Sequence, residues 1–143
     1  LFIDLNDFKA INDKFGHAVG DRALQHIADL LRADRRADDL VIRMGGEEFV
    51  LILPGTTLEK GLAIADCLRQ LIATSPMDHD DQPVEMTASF GVAAISERDT
   101  SLEDAIMRAD DALFRSKRGG RNRVDLDSSQ RLAVLDPSTV VSD

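Results

Sequence analysis

Leu40-Val41-Ile42-Arg43-Met44-Gly45-Gly46-Glu47-Glu48-Phe49-Val50-Leu51-Ile52-Leu53 is the stretch whose reading decides the fold. Two short apolar runs flank a Gly-Gly pair. Glycine supplies the φ > 0 angles of a tight turn at no steric cost, so the stretch reads as a β-hairpin. Glu47 and Glu48 follow the glycines directly. A hairpin made only for stability has no need of them. Bare backbone beside carboxylates suits a phosphate ligand that arrives with a divalent metal. The simpler alternative is a solvated turn with two surface glutamates, and on the hairpin alone that alternative is favoured.

Outward from the hairpin, helical and extended patterns alternate. Leu1 to Leu5 is an apolar run broken by Asp4, and reads as a buried strand. A buried carboxylate is costly without a partner, so Asp4 should meet a cation or donors. Asn6 and Asp7 are N-cap types before a short helix with Phe8, Ile11 and Phe15 on one face and Gly16 as its stop. Leu24, Ile27, Ala28 and Leu31 mark a second helix. After the hairpin, Thr56-Thr57-Leu58-Glu59 reads as a capping box with Thr56 as N-cap. Its helix ends before Pro76. Met77 to Pro83 reads as a polar loop, and Val84 to Ile95 as one strand interrupted at Ser89 and Gly91. A third long helix starts near Leu102 and stops at Gly119-Gly120. Val124 to Leu126 suits a last strand. The expected order is β-α-α-β-β-α-β-α-β, an α+β, ferredoxin-like core with a mixed central sheet flanked by helices. The domain is expected over residues 1–126, with 127–143 a loosely ordered tail.

Composition narrows the function. The chain has 143 residues, 43% of them hydrophobic, enough for one domain with a core. Its net charge of −9 argues against a nucleic-acid groove, so an anionic ligand must be held by local cations, backbone amides or a metal. The single cysteine, Cys67, has no disulfide partner and fits a reducing compartment. A start inside an apolar strand reads as a cut, with an upstream segment expected.

If the first strand neighbours the hairpin, Asp4 and Glu47 meet at one edge of the sheet. Like charges there call for a cation, and Mg²⁺ is suited to carboxylates, waters and substrate phosphates together. Lys9, Lys117, Arg118, Arg121 and Arg123 are candidates for phosphate oxygens. For Arg118 and Arg123, simple decoration of a helix C-terminus is the better reading.

Several groups then stand in order: Phe8-Lys9-x-x-Asn12-Asp13, Gly16-His17-x-x-Gly20-Asp21, Arg43-x-Gly45-Gly46-Glu47-Glu48-Phe49, Ser89-x-Gly91-Val92, and Ala109-Asp110-x-Ala112-Leu113-Phe114-x-x-Lys117-x-x-Gly120-Arg121-Asn122. Over roughly residues 1–125 the chain resembles the GGDEF domain, the catalytic module of diguanylate cyclases, with Glu47 in place of the motif's aspartate. The resemblance implies a fold similar to the palm of nucleotide cyclases. It implies condensation of two GTP into cyclic di-GMP and two pyrophosphates, with two Mg²⁺ or Mn²⁺ ions per site.

Carried over by residue, it implies metal ligation by Asp4, Glu47 and the Leu5 carbonyl, with Glu48 placed to help activate the 3′-hydroxyl or bind metal. Asn12 and Asp21 match the guanine readers. Lys117 and Arg121 match the phosphate pair, and the amides near Asp7, Phe8 and Lys9 the phosphate cradle. Gly45 and Gly46 allow close approach of the nucleotide. Arg36 and Asp39 match the inhibitory site for cyclic di-GMP. The expected partners are a second copy of the domain and an upstream sensory or regulatory domain. The expected location is cytoplasmic, including the cytoplasmic part of a membrane-anchored sensor. The alternative is a catalytically silent relative that binds GTP or cyclic di-GMP as a receptor.

Overall fold

The computed structural model describes residues 1–130. The strands are β1 (Phe2–Leu5), β2 (Leu40–Gly45), β3 (Glu48–Ile52), β4 (Met77–His79), β5 (Gln82–Val84), β6 (Ala88–Val92) and β7 (Val124–Leu126). The helices are α1 (Phe8–Phe15), α2 (His17–Arg32), α3 (Leu58–Ala73) and α4 (Leu102–Arg118), followed by a 3₁₀ turn at Ser128–Gln130. Five strands form one sheet in the order β2-β3-β1-β6-β7. β1 lies between β3 and β6 and is antiparallel to both, while β6 and β7 are parallel, so the sheet is mixed as expected.

Strand alternation divides the core. Ile3, Leu5, Phe49, Leu51, Ala88 and Phe90 pack with Ile11, Ile27, Leu31, Leu68 and Ile72 of α1, α2 and α3. Phe2 and Val50 instead pack with Ala109 and Leu113 of α4. Gly91 is what lets α4 sit this close. A Cβ there would stand 2.0 Å from the Ala109 carbonyl oxygen and 2.4 Å from the Leu113 nitrogen.

The structure corrects several local expectations. Val84 to Ile95 is not one strand: β5 pairs only with β4 in a separate two-stranded sheet, and β6 starts at Ala88. Met77 to Pro83, read as a loop, supplies both arms of that small hairpin. Asp80 and Asp81 take the left-handed turn conformation there, which aspartate tolerates better than most residues. The cap of α3 is Thr57 rather than Thr56, its Oγ1 accepting the Lys60 N–H at 3.2 Å. Thr56 serves Arg36 instead. Asp7 precedes α1 without a side-chain cap, its own backbone being left-handed. Asp127 is buried and tied to Val92 O and Arg108, so packing continues through Gln130. Residues 131–143 of the expected tail lie outside the described residues.

Candidate active site

The register of β1 against β3 places Asp4 opposite Glu48. The Leu5 amide donates to the Glu47 carbonyl at 3.2 Å, which fastens the hairpin tip to the end of β1. Asp4 is thus nearest in register to Glu48, with Glu47 beside it in the turn. Gly45 (φ 152°) and Gly46 (φ 50°) make the turn, and nothing among the described residues crowds either. Arg43, a motif residue given no separate role in the sequence reading, fixes it. Its Nε and Nη2 donate to Gly46 O at 3.1 and 2.9 Å.

Asp4 is buried, and Lys117 of α4 donates to its Oδ2. Burial pushes the Asp4 carboxyl above the usual aspartate range, Lys117 opposes this, and Glu47 and Asp110 add to it. Glu48 is also raised, by burial first and then by Asp4 and Asp110. Asp110 lies about two turns before Lys117 on α4, so sequence periodicity could have flagged it. Two carboxylates are therefore held at this end of the sheet with a lysine as counter-ion. Among the described residues no three side-chain ligands form a ready metal cage. Mg²⁺ does not require one, since it keeps waters and substrate oxygens alongside one or two carboxylates. The hard oxygen donors of Asp4, Glu47 and the Leu5 carbonyl fit such an ion.

Asn12 and Asp21 flank the junction of α1 and α2. A side chain at Gly20 would collide with Asn12, since a Cβ there would lie 1.8 Å from Oδ1. Gly20 therefore leaves the space that the Asn12 side chain fills, and the next residue, Asp21, is exposed. Phe8 and Lys9 are the first residues of α1, whose opening amides lack a side-chain cap and can serve an anion. Lys9 and Arg121 are exposed. Arg121 and Asn122 both have positive φ, 64° and 46°. Arg118 lies over the Phe114 ring, and Arg123 pairs with Asp125 while donating to Gly119 O, which matches the structural reading of both. A cavity of about 400 Å³ lined by Leu1, Ile52, Leu58, Leu102 and Ile106 is apolar and lies at the far end of β1 from Asp4.

At the end of α2's connection to β2, Arg36 and Asp39 do come together. The Arg36 amide donates to Asp39 Oδ2 at 3.0 Å, and its Nη2 reaches Oδ1 at 3.4 Å. The same nitrogen donates to Pro54 O at 2.6 Å and Thr56 Oγ1 at 2.7 Å. His26 and His79 are half-buried. His26 Nε2 contacts Ser75 O, and the His79 ring packs edge-on against Phe15.

The family model for "Diguanylate cyclase, GGDEF domain" matches residues 1–123. The chain belongs to the GGDEF family. Diguanylate cyclase DgcP of Pseudomonas aeruginosa is 44% identical over 124 residues, 87% of this chain and 18% of that protein. The response regulator PleD of Caulobacter vibrioides is 41% identical over 126 residues, 28% of its length. This GGDEF domain thus spans under a third of those two relatives. Among solved structures, the active GGEEF domain of a Vibrio cholerae diguanylate cyclase superposes with a TM-score of 0.81 at 34% identity, covering 88% of this chain and 80% of that one. The GGDEF domain of DgcB from Caulobacter crescentus, in complex with c-di-GMP, gives 0.82 at 29% identity, covering 88% and 75%.

Proposed function

We propose that this domain is a diguanylate cyclase that condenses two GTP into cyclic di-GMP and two pyrophosphates. The observation that carries the reading is the pairing of Asp4 against Glu48 with Lys117 bound to Asp4. Curated diguanylate cyclases at up to 44% identity support it. Asn12 and Asp21 bind the guanine, offering a donor-acceptor amide and an acceptor carboxylate. Lys117, Arg121 and the opening amides of α1 at Phe8 and Lys9 hold the triphosphate. Gly45 and Gly46 leave room for it over the hairpin. Asp4, Glu47 and the Leu5 carbonyl hold the divalent ions, Mg²⁺ or Mn²⁺. When bound, these supply charge neutralisation at the reacting phosphate.

Each domain carries one GTP, and two domains face each other. The 3′-hydroxyl of one nucleotide attacks the α-phosphate of the other. A P–O3′ bond forms, the bond to the bridging oxygen breaks, and pyrophosphate leaves. Glu48 takes the hydroxyl proton on its carboxylate. Its raised proton affinity makes it a stronger base than an ordinary glutamate. The same step by the second nucleotide's 3′-hydroxyl on the remaining α-phosphate releases the second pyrophosphate and closes the ring. Cyclic di-GMP then binds at Arg36 and Asp39 and holds the domains apart. The exposed, unpaired Cys67 supports a reducing, cytoplasmic location.

The test is the rate of pyrophosphate release against domain concentration. A quadratic rise with GTP and none with ATP is expected. A linear dependence in the unfused domain at concentrations where it is monomeric, or equal use of ATP, would contradict the reading.

A further inference from the structure

Ser89 lies opposite Asp4 on β6 and is completely buried. Its hydroxyl donates to Asn6 Oδ1 at 2.8 Å and accepts the Asn122 backbone N–H at 3.2 Å. Asn6 is itself buried and donates from Nδ2 to Thr87 Oγ1 at 2.9 Å. A buried chain of polar groups therefore runs from the residue after Leu5 to the turn that carries Arg121. A hydroxyl can donate and accept at once, which a methyl group cannot do.

The turn needs such a hold. Arg121 and Asn122 are consecutive non-glycine residues with positive φ. Asparagine visits that region readily, but an arginine stays there only where the surroundings over-determine it. A second buried serine, Ser116, contributes from α4. Its carbonyl accepts the Arg121 N–H at 3.1 Å, and its hydroxyl donates to Arg123 O at 2.8 Å. The Asn122 side chain accepts from Arg69 Nη1 at 3.3 Å. Of these holds, only Ser89 also reaches the end of β1.

We infer that Ser89 is a positioning residue for the nucleotide's triphosphate. It fixes the backbone from which Arg121 projects and ties it, through Asn6, to the strand end that carries Asp4 and Leu5. The inference rests on the reading of Arg121 as a phosphate ligand. A serine that only satisfied its own buried hydrogen bonds would, when lost, weaken every ligand alike and independently of Arg121.

The experiment measures binding of the α,β-methylene analogue of GTP, with Mg²⁺, and of guanosine to the 143-residue chain by calorimetry. Ser89→Ala should weaken the triphosphate analogue roughly fivefold and leave guanosine unchanged. In an Arg121→Ala background the same substitution should cost nothing further. Losses that add across the two sites, or that fall equally on both ligands, would overturn the inference. Unchanged affinity in Arg121→Ala alone would overturn the phosphate assignment and this inference with it, a result distinct from additivity. If Ser89→Ala does not fold, Ser89→Cys, whose thiol is a weaker donor and acceptor, carries the same comparison.

Discussion

Two ion pairs in this domain bind a cation that the proposed function hands to a nucleotide, and they are built differently. Arg36 sits at the surface with a nearly buried Asp39, and its guanidinium is shared among Asp39, Pro54 O and Thr56 Oγ1. The fork is already shaped, and a ligand need only dock on its exposed side. Lys117 has Asp4 as its partner, and Asp4 is itself a proposed metal ligand. On the proposed function the lysine would exchange this carboxylate for a phosphate. On that reading the first pair is a formed receptor, and the second is the charge-paired resting arrangement of an active site.

The sharpest break would come at Asp4. Asp4→Asn or Glu47→Gln should cut turnover by about 100-fold or more while the far-ultraviolet spectrum stays native. Retained turnover would remove that carboxylate from the metal site. Next is Lys117→Met. Freed of its counter-ion, the carboxylate pair should bind Mn²⁺ several-fold more tightly without nucleotide, read by electron paramagnetic resonance, while GTP binding weakens about tenfold. Weaker Mn²⁺ binding would mean that Lys117 orders the site rather than occupying it.

Arg36→Ala should relieve inhibition by cyclic di-GMP and leave the initial rate within about twofold, because Arg36 bonds the chain beyond the Ile52 end of β3, away from Glu48 at its start. Inhibition that persists unchanged would remove Arg36 from the product site. The smallest effect concerns Glu48. Its raised proton affinity in the fold means that ionising it costs stability. The stability it contributes is full at low pH and is lost as pH rises through the folded value. Glu48→Gln should therefore melt slightly higher than the parent at neutral pH, with the gap closing below the ordinary glutamate range. The same raised value should place the acid limb of the parent's pH–rate profile above that of an ordinary carboxylate.

Most of the sheet was legible because its strands carry their own signals. Leu1-Phe2-Ile3 and Phe49-Val50-Leu51-Ile52 are continuous apolar runs, and Gly45-Gly46 announces the turn. The β4–β5 hairpin was not legible, since Asp80 and Asp81 turn the chain where a glycine would have signalled it. Two adjacent threonines hid the cap of α3, because either could accept the amide three residues on and only tertiary structure assigns Thr56 to Arg36. At the site, the carboxylates stood out as charges in apolar runs. Their pairing with Lys117 joins residues 113 positions apart, and no local pattern encodes that. Ser89 was visible as a motif residue, but its hydrogen bonds were not.

The account is tested most directly by product analysis. The domain, fused to a constitutively dimeric coiled coil, is incubated with GTP and Mg²⁺, and nucleotides are separated by chromatography and identified by mass. The account predicts cyclic di-GMP and pyrophosphate in proportion to enzyme. GTP bound but unchanged, in this fusion and in one extended upstream of Leu1, would contradict it and make the domain a nucleotide receptor.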